Sequence, residues 1–225
     1  MGRRLGGAAM TLPFTTQSEQ QTAIPSVLAH LRGGGLLAYP TETVYGLGSL
    51  STPEGLTALI RLKGRAPGKP FLLLISSRAM AESWGLGFNA SASALASAFW
   101  PGPLTLVLPG GEGRLPDALR GVEGGIAVRH TSHAGIVRLV AALGAPLTST
   151  SANRPGQPAA PGVSRLVEFF QGAVDAGQLL VLDGGVLGNV PPSTVVDCTG
   201  VVPKMIRTGA IPVAELRAAV GSLAP

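Results

Sequence analysis

Short apolar runs of β character alternate with helix-like stretches along the whole chain, and that alternation restricts the fold more than any other feature. Residues 36–39, 71–75, 104–108, 126–128, 179–182, 194–196 and 202–206 read as strands. Residues 53–62, 91–99, 135–143 and 213–220 read as helices. Thr52 caps the first of these and Pro53 opens it. In the third, Ile136, Leu139, Val140 and Leu143 fall on one face. The pattern specifies an α/β fold, a twisted open mixed sheet flanked by helices. Strand direction is mixed because several connections are too short for a parallel crossover.

Hydrophobic residues make up 45% of the 225 and charged residues 13%. A disordered chain has the opposite balance. Residues 83–111 carry no charge, but Asn89, Pro101 and Pro103 break the stretch, so it does not read as a membrane span. Arg3 and Arg4 precede no long apolar segment, which speaks against a secretion signal. Met10 is a second candidate start. Residues 1–17 read as a loose tail and 18–225 as one domain. The one cysteine, Cys198, excludes an internal disulfide and fits a reducing, cytoplasmic setting. His30, His130 and His133 lack metal-ligand spacing, so no resident metal is expected.

The chain carries 17 basic and 12 acidic residues, a net +5, which suits an anionic partner. Gly64 to Pro70 imitates a phosphate loop, but it is one residue short between its glycines and ends in Pro where Ser or Thr would hold Mg²⁺. Four polar segments interrupt the apolar background. Residues 39–48 leave a strand end rich in hydroxyls. Lys63, Arg65 and Lys69 place three cations within seven residues at a helix end. Residues 147–153 run from a strand into a hydroxyl-rich turn ending in Asn153. Residues 192–197 are followed by Arg207 at another strand end. Cations, hydroxyls and backbone N–H groups are the donors that phosphate and carboxylate ligands need.

Taken in order, these segments resemble the YrdC-like family, the L-threonylcarbamoyladenylate synthases. The matching stretches also include Trp100 to Thr105, Ala127 to Arg129 and Ile206 to Gly209, and they span about residues 20–210. The resemblance implies a basic concave sheet face and a reaction. L-threonine and bicarbonate or CO₂ give N-carboxythreonine, whose carboxylate attacks the α-phosphate of ATP. Threonylcarbamoyl-AMP and pyrophosphate result. A downstream tRNA threonylcarbamoyl transferase then modifies an adenosine beside the anticodon. The resemblance assigns Lys63 and Arg65 to catalysis. It assigns Lys63, Arg65, Lys69, Ser151, Asn153 and Arg207 to ATP, and Thr43, Arg129, Ser149 and Ser193 to threonine. Mg²⁺ would be held mainly by the nucleotide phosphates. Leu74 stands where many members have His. Two other readings stay open: binding of tRNA or double-stranded RNA on the basic face without catalysis, as in ribosome maturation, and a paralogue that adenylates a different carbamate.

Overall fold

The computed structural model describes residues 10–64, 70–121 and 123–225. Among these residues ten strands form one sheet: β1 (Thr11–Pro13), β2 (Leu36–Tyr39), β3 (Gly46–Gly48), β4 (Leu72–Leu74), β5 (Leu104–Leu108), β6 (Ile126–Arg129), β7 (Leu147–Ser151), β8 (Leu179–Asp183), β9 (Thr194–Asp197) and β10 (Lys204–Arg207). Their spatial order is β1-β8-β2-β3-β7-β4-β6-β5-β9-β10. The β1/β8, β2/β8, β4/β6 and β5/β9 pairs are parallel and the rest antiparallel. The mixed direction expected from the short connections is therefore present.

Among the described residues seven α-helices flank the sheet: α1 (Gln17–Arg32), α2 (Pro53–Lys63), α3 (Arg78–Ser83), α4 (Ala90–Phe99), α5 (Ala134–Leu143), α6 (Val163–Asp175) and α7 (Val213–Val220). Strand residues alternate between two apolar layers, as period 2 requires. Leu36, Ala38, Leu73, Leu106 and Val128 join the layer that α2, α4, α6 and α7 complete. Leu37, Tyr39, Leu74, Leu147 and Leu180 face α1 and α5. On that second side the helices stop short of the β5, β9 and β10 end, where the sheet face carries Thr105, Val195 and Arg207 and borders a cleft.

Several elements differ from the sequence reading. The tail expected over 1–17 does not extend through its described part. Thr11–Pro13 pair in parallel with Val181–Asp183, and Phe14 is fully buried in the α1/α5 layer. Removing that side chain opens a cavity in the layer. Phe14→Ala is expected to cost about 3–5 kcal/mol of stability, read from denaturant unfolding; a loss below about 1 kcal/mol would restore the tail reading. Helix α1 was not recognised because Pro25 interrupts its helical pattern. Its start is nonetheless marked by a capping box of Thr16 and Glu19. Strand β3 is hidden by its glycines. The Tyr39 ring lies across them, and a Cβ at Gly48 would come within 2.2 Å of the Thr148 carbonyl. The hydroxyl-rich residues 147–151 are strand rather than turn, and Thr148 bonds sideways to Ser49.

Candidate active site

The open part of the sheet face forms the floor of a cleft of about 450 Å³. Register determines which side chains reach it. Gly46 pairs with Ser151, Leu72 with Ser149, and Leu74 with Arg129. Thr105 pairs with Val195, and Val195 with Arg207. All these residues line the cleft. Polar side chains of β7, β6 and the 41–43 turn thus share this face with apolar Leu72, Leu74, Ala127 and Val195.

The 41–43 turn is locked by its own hydroxyls. Thr41 Oγ1 donates to the Val44 carbonyl at 2.7 Å and accepts from the Thr43 and Val44 amides at 3.2 Å. With its proton so committed, Thr41 accepts from Thr43 Oγ1 at 3.0 Å. Thr43 Oγ1 in turn accepts from Arg129 Nη1 at 3.1 Å. Arg129 is 4% exposed. Its Nε donates to the Gly102 carbonyl at 3.2 Å, and its Nη2 lies 2.7 Å from Glu42 Oε1. That last contact is a buried ion pair at charge-assisted hydrogen-bond distance. A guanidinium set in a cleft wall, with N–H donors beyond those its protein partners use, suits an anionic ligand.

At the other end, Thr105 Oγ1 and Ser193 Oγ are 2.8 Å apart and both buried. Arg207 Nη2 donates to the Ser193 carbonyl at 2.8 Å and to its Oγ at 3.3 Å. Burial and the nearby Arg129 charge both lower the basicity of Arg207. Two guanidinium groups close enough to repel each other are held in one cleft, which an anionic ligand would relieve. A segment from Gly184 to Pro192 joins β8 to Ser193. Its start is fastened by the Tyr45 hydroxyl, which accepts from the Gly184 amide and donates to the Gly185 carbonyl.

Ser151 Oγ donates to Asn153 Oδ1 at 2.6 Å, and Asn153 Nδ2 donates to the Gln157 carbonyl at 2.6 Å. Lys63, at the end of α2, is 7% exposed. Its Nζ donates to the Ser151 carbonyl at 2.6 Å, and also to the carbonyl and Oδ1 of Asn153. Lys63 thus braces the turn that presents Ser151 and Asn153, and does not itself line the cleft. Of the residues singled out from sequence, Thr43, Arg129, Ser149, Ser151, Asn153, Ser193 and Arg207 share the cleft. Arg65 and Lys69 lie outside the described residues. Leu74, in the place of a family His, lies on the floor beside Arg129. Sequence reasoning missed Thr41, Thr105 and Glu42, all within segments it had marked.

The family model for Sua5, YciO and YrdC, described as "Telomere recombination", matches residues 29–209. The chain belongs to the Sua5/YciO/YrdC family. The threonylcarbamoyl-AMP synthase of Chromohalobacter salexigens is 40% identical over 181 residues, 79% of this chain and 95% of the relative. That of Pyrococcus abyssi is 34% identical over 194 residues, 86% of this chain and 56% of the relative. The chain therefore spans little more than half of this Pyrococcus family member. A crystal structure of P. abyssi Sua5 complexed with L-threonine superposes with a TM-score of 0.86 at 31% identity, covering 95% of this chain and 62% of that one. The mixed α/β sheet is the fold of these Sua5-type relatives.

Proposed function

We propose that this protein is an L-threonylcarbamoyladenylate synthase, converting L-threonine, bicarbonate or CO₂, and ATP into threonylcarbamoyl-AMP and pyrophosphate. The observation that carries the reading is Arg129, buried in a cleft wall shared with Arg207 and the hydroxyls of Thr43, Ser149, Ser151 and Ser193. The family relationship supports the same reading.

The chemistry asks for little else. An amino-acid carboxylate pairs with the Arg129 fork. The free amine of threonine combines with CO₂ to give the carbamate and releases one proton to solvent; the carbamate is then already an anion, so its attack on phosphorus needs no general base. One of its oxygens forms a bond to the α-phosphorus of ATP, and the bond from that phosphorus to the bridging oxygen of pyrophosphate breaks. The protein holds two anions side by side and offsets the charge that accumulates on the leaving group. Arg207 and the Ser151–Asn153 turn braced by Lys63 face the nucleotide in this reading, with Arg65 and Lys69 as further cations. Among the described residues no acidic cluster suited to a metal ion is present, and Glu42 is tied to Arg129. Mg²⁺ would arrive on the nucleotide phosphates, and no step is assigned to it.

The product would serve a tRNA threonylcarbamoyl transferase in the cytoplasm, with tRNA a further partner in this reading. Among the described residues no helix is long and apolar enough to cross a membrane. The test is pyrophosphate release from ATP by the purified protein. Release that requires both threonine and bicarbonate is expected. Release indifferent to threonine would favour a paralogue with another carbamate, and RNA binding without any release would favour the non-catalytic reading.

A further inference from the structure

We propose that Glu42 is a positioning residue for the amino-acid site: it braces the Arg129 guanidinium so that the fork meets the substrate carboxylate in one orientation. The proposal rests on the synthase reading above.

Glu42 does not line the cleft, although its neighbours Thr41 and Thr43 do. The locked 41–43 turn brings its carboxylate between Arg129 Nη2 and the turn that joins β6 to α5. There its carboxylate is held by other groups. Oε1 accepts from the Ser132 amide at 3.2 Å, and Oε2 accepts from the Thr131 hydroxyl. Thr131 is fully buried. Both donors sit in the turn between β6 and α5, so that turn fixes the carboxylate independently of any ligand. Burial alone would raise the Glu42 pKa, but the Arg129 charge and the Thr131 hydroxyl outweigh it and keep the group ionised.

Arg129 is consequently gripped on each of its three nitrogens by a different segment: Gly102, Thr43 and Glu42. With one N–H of each nitrogen held this way, two of the five donors remain for a ligand. Glu42 could affect binding in two opposed ways. As a counter-charge it weakens the pull of Arg129 on an entering carboxylate. As a brace it removes the cost of ordering the fork on binding. The geometry favours the brace. Glu42 is anchored outside the cleft, and an entering carboxylate has no need to displace it.

The two effects separate in steady-state kinetics of pyrophosphate release. Glu42→Gln is expected to raise the KM for threonine about tenfold while leaving kcat and the KM for ATP within about twofold. Thr131→Val, which removes one anchor of the carboxylate, is expected to raise the threonine KM about threefold. If Glu42→Gln does not fold, the Thr131→Val variant carries the test alone. An unchanged threonine KM overturns the proposal. So does a lowered one, which would make Glu42 only a counter-charge. A parallel rise in both KM values, or a loss confined to kcat, also overturns it, because general damage to the site would act on both substrates. Absence of threonine-dependent release from the parent protein overturns the synthase reading and the proposal with it. Normal release by the parent with an indifferent Glu42→Gln overturns the proposal alone.

Discussion

Arg129→Lys is expected to lower kcat/KM for threonine by about 10²-fold or more while the protein stays folded. Lysine keeps the charge that Glu42 requires, so the buried ion pair is not left without its cation. It cannot reproduce the planar fork, nor reach Gly102, Thr43 and Glu42 together as the guanidinium does. Arg129→Ala should behave differently. It leaves the Glu42 carboxylate, 22% exposed, without its partner. Losses on the order of 3–5 kcal/mol have been characteristic of breaking such buried pairs, and the partial exposure of Glu42 places this one toward the lower end. The comparison therefore separates recognition from folding. Thermal unfolding and threonine kinetics of both variants provide the check, and a Lys variant with the parental threonine dependence would refute the carboxylate role.

Lys63→Ala is the second large effect expected. The ammonium is a hub for the carbonyls of Ser151 and Asn153 and for Asn153 Oδ1. Its removal leaves acceptors in a largely buried turn without a donor, at about 1–3 kcal/mol for each one that water cannot reach. The turn then loses the geometry that presents Ser151 and Asn153 to the cleft. Pyrophosphate release is expected to fall by about 10²-fold, with a measurable drop in the unfolding midpoint. A variant with activity within about twofold of the parent would show that the turn holds without its brace. A full loss of activity with an unchanged midpoint would mean that Lys63 acts on the nucleotide directly.

Strands β2, β5, β6 and β8 were legible because each is dominated by apolar residues, with Thr105, Arg129 and Asp183 the polar exceptions. Elements whose residues serve a neighbour more than their own propensity were not. Strand β3 gives up its side chains to make room for Tyr39, and β7 presents hydroxyls to Ser49 and to the cleft. Helix α6 was also passed over. Phe170 departs from helical geometry within it, although Leu166, Phe169 and Phe170 bury one side. The cleft residues were found as types in marked segments. What could not be read was their division of labour. Lys63 reads as an anion-binding cation in a linear sequence, yet folding turns it onto its own chain. Glu42 reads as one more polar residue in a turn until β6 brings Arg129 beside it, 87 positions later.

The cleft wall also bears on how the reaction should respond to acidity. Among its described residues it combines hydroxyls, an amide, backbone and two guanidinium groups, and no imidazole, thiol, amine or carboxyl side chain. None of these changes charge in the neutral range, since hydroxyls and amides do not ionise there and guanidinium side chains keep their proton in proteins. The wall therefore offers its ligands a constant electrostatic field across the neutral range. A rise of the rate with alkalinity in that interval therefore comes from outside the lining: from the free-amine fraction of the amino acid and the partition between CO₂ and bicarbonate, or from the imidazoles of His130 and His133, which couple to Glu42.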